Sequence, residues 1–186
     1  MITVPELKRQ YVRRGIIWEP VNLFGVRYSE NQKHDDFNDF LGIATNNTIK
    51  IYQGTTDPGW KSTTESTKGA AHLCLGYHQG IWAIGIHGKH NPIFAHEAFI
   101  QVGGHVTIWR DSDRDGEQDN NEKILKGWFG LNMHRASIHG SDHIGPYSEG
   151  CQVHQDPESL NVFLEIAKKS ELKFFSYMLF DRTEWQ

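Results

Sequence analysis

The sequence predicts a mainly β, α+β fold built as one unit over residues 1–186, with residues 1–20 as an N-terminal helical appendage. Three observations carry this prediction. Eighteen glycines punctuate short apolar runs, the pattern of a chain rich in turns and strands. Near the C-terminus stands one long segment with helical apolar spacing. No internal repeat and no Pro/Gly/Ser-rich linker divides the chain.

Pro5 to Arg14 reads as a short, basic, amphipathic helix, with Tyr11 and Val12 as packing residues and Gly15 as its stop. Asn22 to Tyr28 reads as a strand and Ser29 to Asp36 as a polar loop. Leu41–Ala44 and Thr48–Gln53 are strands about the turn pair Asn46-Asn47. Thr55 to Trp60 is a turn, and the Ser/Thr-rich Lys61 to Lys68 an exposed segment. Apolar runs follow at His72–Leu75, Ile81–Ile86 and Ala98–Val102, then a strand at His105–Arg110. An acidic loop spans Asp111 to Glu122, and Trp128–His134 is strand-like. Asp156 can cap the late helix, and Pro157 fits its first turn. Leu160, Phe163, Leu164 and Ala167 form its apolar face, and Lys168 and Lys169 suit its C-terminal end. Phe174 to Phe180 is the last strand.

Hydrophobic residues make up 38% and aromatics 12%, enough for a core and against a disordered chain. Nineteen Lys and Arg face 23 Asp and Glu, a formal net charge of −4. No basic excess exists to neutralise a phosphate backbone, so nucleic acid is disfavoured as the main partner. There is no apolar run of about 18 residues to span a membrane. The start of the chain lacks the apolar stretch of a secretory signal, and two cysteines make no disulfide framework. Synthesis in a reducing cytoplasm is the expectation, with any work outside needing a separate route.

The densest chemistry lies between Asn132 and His154. Cys151 closes the turn Ser148-Glu-Gly-Cys151. A nucleophilic cysteine needs a tight turn, with backbone N–H groups near Gly150 and Cys151 aimed at a developing oxyanion. It also needs a histidine as general base. His134 ends an apolar strand, whereas His139 sits in a Gly-containing loop, so the more rigid His134 is preferred. A catalytic thiol is expected to alkylate quickly near neutral pH, well before Cys74. The competing reading is a buried, inert thiol, which Cys74, between two leucines, fits better.

An upstream histidine with Ser-x-Gly-Cys resembles the signature of L,D-transpeptidases, which cut and rejoin peptidoglycan stem peptides through a cysteine acyl-enzyme. The resemblance implies a transpeptidase-like β-sandwich core, Cys151 as nucleophile, His134 as base, and Ser148 and Gly150 as the turn. Two positions depart from it. Glu149 stands where the family usually has histidine, and Val153 where it usually has Arg or Asn. A looser resemblance, over roughly Phe24 to Phe180, is to uncharacterised proteins of tailed phages and prophages. It rests on Thr56-Asp-Pro-Gly59, Ile84-Gly-Ile-His87, Ile100-Gln101, Trp109-Arg-Asp111, Phe129–Arg135 and Tyr147–Gln152. It implies a phage or mobile-element origin and brings no established reaction; the expectation is a phage or prophage product that reaches the cell wall by a route other than a signal peptide. His87, Arg135, His139 and Gln152 are the expected substrate contacts, Arg135 holding a substrate carboxylate or, equally, forming a structural ion pair. The expected function is acyl transfer or hydrolysis on peptidoglycan stem peptides. The rivals are a non-catalytic phage structural or wall-binding protein of the same fold, and a zinc metallopeptidase. The last would draw on His87, His90 and His96 with His134, His139 or His143.

Asp111 to Glu122 also matches a twelve-residue calcium loop. Asp111, Asp113 and Asp115 take positions 1, 3 and 5, and Gly116 position 6. Glu117, Asp119 and Glu122 take positions 7, 9 and 12. A hard cation would collect these oxygens, and the expected role is structural, since calcium would not activate a thiolate directly. The alternative is a solvated acidic turn.

Overall fold

A computed structural model describes residues 2–28 and 35–185. Most of the loop expected over 29–36 lies outside the described residues. Among the described residues, three α-helices and eleven strands form a mainly β, α+β fold. The helices are α1 (Val4–Arg13), α2 (Trp60–Glu65) and α3 (Pro157–Lys168). The strands are β1 (Asn22–Arg27), β2 (Asp39–Ala44), β3 (Ile49–Thr55), β4 (Ala70–Leu73), β5 (Gly76–His87) and β6 (His96–Gln101). They continue with β7 (Val106–Asp111), β8 (Lys123–Gly127), β9 (Met133–Arg135), β10 (Gln152–His154) and β11 (Phe175–Asp181). Among the described residues, no helix is long and apolar enough to cross a membrane.

Eight strands close into a barrel in the order β1-β11-β5-β6-β9-β10-β3-β2, and β4-β7-β8 form a separate three-stranded sheet. The expected two-faced sandwich is therefore a closed barrel. Closure depends on pairings that join strands distant in sequence, β1 with β11, β11 with β5 and β10 with β3.

Period-two alternation explains why β1 and β11 are buried on both faces. Leu23, Tyr177 and Leu179 enter the main core, which also takes Leu160, Phe163, Leu164 and Ala167 of α3. Phe24, Val26, Met178 and Phe180 point the other way and pack against Leu7 and Tyr11 of α1. Helix α1 is thus a covering layer of the barrel rather than an appendage. Its packing pair is Leu7 and Tyr11, one turn apart, whereas Val12 is 72% exposed. The Thr3–Glu6 capping box starts this helix, and Gly15 follows its last turn at φ +67°.

Three expectations change. Lys61 to Glu65 joins α2, because Asp35 Oδ1 accepts the Trp60 N–H from outside the helix. Residues 128–132 are not a strand. The Gln101 side-chain oxygen takes the N–H groups of Phe129 and Leu131 at 3.2 and 3.0 Å, replacing a ladder. Finally, β8 and β10 were not anticipated: β8 is largely exposed, and β10 is only three residues long.

A buried ionic network ties the barrel to the three-stranded sheet. Arg27 on β1 lies 3.0 Å from Asp57 Oδ1. It also donates to the Thr56 hydroxyl and carbonyl and to the Leu73 carbonyl on β4. His72 Nδ1 sits 2.9 Å from the same Asp57 oxygen, and the His72 ring stacks on Trp109 of β7. Truncating Arg27 would leave Asp57 as a buried charge without its cation. Arg27→Ala should lose about 3–5 kcal/mol in urea unfolding, while a loss below about 1 kcal/mol would contradict this role.

Candidate active site

The parallel pair β9–β10 sets the site. Met133 lies opposite Gln152 and His134 opposite Val153. One residue earlier, Asn132 and Cys151 meet. Asn132 N–H donates to Cys151 Sγ at 3.4 Å, and Gln152 N–H donates to the Asn132 carbonyl at 2.9 Å. Alternation then puts Asn132, His134 and Cys151 on one face and Met133 and Gln152 on the other. Cys151 and His134 line one cleft of about 390 Å³ with His87, Arg110, Tyr147 and Glu149. A second cleft of about 490 Å³ adjoins it through Ala71, Arg110, Pro146 and Glu149, and runs to α2.

The turn before Cys151 is held at both ends. Ser148 Oγ donates to the Cys151 carbonyl at 2.8 Å and accepts the Gly150 N–H at 3.2 Å. The Ser148 carbonyl accepts the N–H of Gly59, the last residue of Thr56-Asp-Pro-Gly59. Gly150 has φ +131°, and a Cβ there would lie 2.2 Å from the Ala71 carbonyl oxygen. Only glycine meets both conditions. Ser148 and Gly150 are therefore positioning residues. The Gly150 N–H, expected to face an oxyanion, is instead engaged by Ser148.

His134 is 4% exposed, and its Nδ1 lies 2.8 Å from the Arg135 carbonyl. That bond places the proton on Nδ1 and leaves Nε2 as the basic nitrogen. The His87 ring stacks on His134, with centroids 3.9 Å apart and planes 12° apart. Asn132 Nδ2 donates to His87 Nδ1 at 3.1 Å, which fixes the His87 proton on Nε2. Burial, then the charge of His87, push His134 down to about 3, and burial pushes His87 down to about 4. Both rings are neutral at ordinary pH.

Burial pushes the Cys151 thiol up to about 11, against the Asn132 N–H, and Glu149 raises it further. At rest the thiol and the imidazole are therefore both neutral, and Cys151 Sγ donates to the Gly130 carbonyl at 3.7 Å. A thiol raised in this way is expected to alkylate slowly near neutral pH, which is the behaviour of the competing buried-thiol reading. Burial raises Cys74 as well.

The other expected contacts divide. His87 reaches the cleft, as do Arg110, Phe129, Tyr147 and Glu149, which the sequence reading did not assign to substrate. Arg135 is partly exposed, and its charge reaches His87 and His96. Gln152 is fully buried; its oxygen accepts the Tyr177 hydroxyl, so it points away from the cleft. His139 is exposed and outside the cleft lining. Val153 lies in a small apolar cluster with Phe37, Ala136 and Ile144.

His87, His96 and His134 gather, with His96 centred 5.4 and 6.0 Å from the other two. His90 is exposed, and His143 instead faces Asp36 at 3.6 Å. Among the described residues, the set of three or more ligand atoms that converges within 4.8 Å is Asp111, Asp113 and Asp115, not histidines.

The acidic loop is the turn of the β7–β8 hairpin. Arg110 pairs with Lys123, so the same register sets Asp111 opposite Glu122. Asp111 is fully buried, and its two oxygens accept the N–H groups of Arg114 and Gly116. Glu117 and Asp119 are exposed at the rim.

No protein-family model, curated protein or solved structure matches the chain.

With Cys74 replaced by alanine, iodoacetamide should label Cys151 slowly at pH 7, the rate rising about tenfold per pH unit to pH 9. A fast reaction that levels off near neutral pH would contradict the raised thiol.

Proposed function

We propose that the chain is a cysteine-dependent acyl-transfer or hydrolytic enzyme acting on peptidoglycan stem peptides. The observation that supports this most is the convergence of Cys151 and His134, from adjacent strands, on one cleft. The resemblance of His134 and Ser148-Glu-Gly-Cys151 to the L,D-transpeptidase signature suggests the substrate class.

In this reading, Cys151 Sγ attacks a peptide carbonyl carbon as its proton passes to His134 Nε2. The S–C bond forms, and the carbonyl electrons move to oxygen. The Cys151 N–H takes the oxyanion role, because Gly150 N–H is engaged by Ser148. Collapse breaks the C–N bond, and His134 returns the proton to the leaving amine. Water or a second amine then attacks the thioester, giving up its proton through His134 and restoring the Cys151 thiol. Water makes the enzyme a peptidase; an amine makes it a transpeptidase. A neutral thiol suits concerted proton transfer better than attack by a preformed thiolate.

Arg110 stands where the two clefts meet, with one guanidinium nitrogen on the Gly69 carbonyl and the group 5.7 Å from the Phe129 ring. This cation and exposed Glu149 give the cleft complementary charges for a zwitterionic peptide.

Purified muropeptides incubated with the protein should lose or exchange a stem-peptide residue, read by mass spectrometry. Cys151→Ala should abolish this, and His134→Ala should slow it about 10²–10⁴-fold. Because His134 stays unprotonated well below the ordinary histidine range, the rate should hold from about pH 8 to about pH 5. Unchanged muropeptides with folded protein would favour the non-catalytic wall-binding or phage structural reading.

A further inference from the structure

We infer that the β7–β8 turn is a calcium site whose occupancy braces the three-stranded sheet. The inference is independent of the reaction at Cys151. Asp111, Asp113 and Asp115 bring one carboxylate oxygen each within 4.8 Å of one another. Beside them, Glu122 is only 9% exposed. Its Oε1 accepts the Ser112 N–H at 2.8 Å, while Oε2 is buried with no hydrogen-bond partner. Ser112 lies between Asp111 and Asp113, so this bond holds the Glu122 carboxylate beside the backbone that carries them. A buried carboxylate oxygen without a donor is costly, and like charges opposed across a hairpin add to the cost. A divalent cation removes both costs at once.

Three carboxylates converge from positions 1, 3 and 5 of a twelve-residue loop, and Glu122, at position 12, would be the fourth hard oxygen ligand. Several anionic oxygens on a flexible turn suit calcium, which accepts variable geometry, better than magnesium, which demands an octahedron and retains water. A strand replaces the helix that would ordinarily follow such a loop, so the ion would clamp the two strands of a hairpin. The clamp bears on β4 as well. Ala70 pairs with Asp111, and the next carbonyl, that of Ala71, packs against Gly150.

Terbium is a suitable first probe, because Trp109 lies two residues before Asp111 and can sensitise its emission. Terbium should luminesce on addition to the chelator-treated chain, and calcium should quench the signal by displacement. Calcium at about 1 mM should raise Tm by about 5 °C and slow amide exchange across β7 and β8, with magnesium doing less. Asp113→Asn/Asp115→Asn changes exposed side chains and relieves repulsion. Its Tm without calcium should equal or exceed that of the wild type, and calcium should not shift it. Folded wild type that shows neither terbium emission nor a Tm shift at 10 mM calcium would overturn the inference. An equal calcium shift in the double variant would also overturn it.

Discussion

The structure depends on one buried cation. Arg27 stands on the strand that closes the barrel, between β2 and β11, and its guanidinium reaches out of the barrel. It binds Thr56 and Asp57 beyond β3 and the Leu73 carbonyl on β4. Asp39 adds a second tie, accepting from the Tyr28 N–H and from the Thr56 N–H and hydroxyl. Asp57 then holds His72, which burial keeps below the usual histidine range. An ionic group so enclosed gains little over an apolar core of the same shape. Its value here is positional. It sets the three-stranded sheet against the barrel at a fixed place, and the Ala71 carbonyl of that sheet is the surface on which Gly150 rests.

The candidate site is built where those two bodies meet. The barrel supplies His134 and Cys151 on β9 and β10; the three-stranded sheet supplies Ala71 and Arg110. Thr56-Asp-Pro-Gly59 serves both purposes, with Thr56 and Asp57 in the ionic network and Gly59 on the Ser148 carbonyl. Desolvation around Cys151 and His134 has a chemical consequence. It keeps both the Cys151 thiol and the His134 imidazole neutral at rest.

Much of the secondary structure was legible because it is local. Helix α3 carries its cap in Asp156, its first-turn proline and an apolar face, all in consecutive residues. Barrel closure was not legible, since it rests on pairings of β1 with β11, β11 with β5 and β10 with β3 across long separations. Nor could periodicity reveal that the Gln101 amide takes over the hydrogen bonds of residues 128–132. In the site, glycine, serine and cysteine chemistry pointed to Cys151, and a strand end pointed to His134. Gln152 was misplaced because its neighbour Cys151 faces the cleft, and a strand turns adjacent residues to opposite sides. Arg110 and Glu149 gained their place only through the approach of β7 to the Cys151 turn.

The central claim is a covalent acyl intermediate on Cys151, and trapping it is the most direct test. The protein should be mixed with a stem peptide, quenched rapidly in acid, digested and analysed by mass spectrometry. The account predicts an acyl increment on the peptide that contains Cys151, formed at the rate of amine release and absent from Cys151→Ala. Turnover without that adduct, or an adduct confined to Cys74, would contradict it.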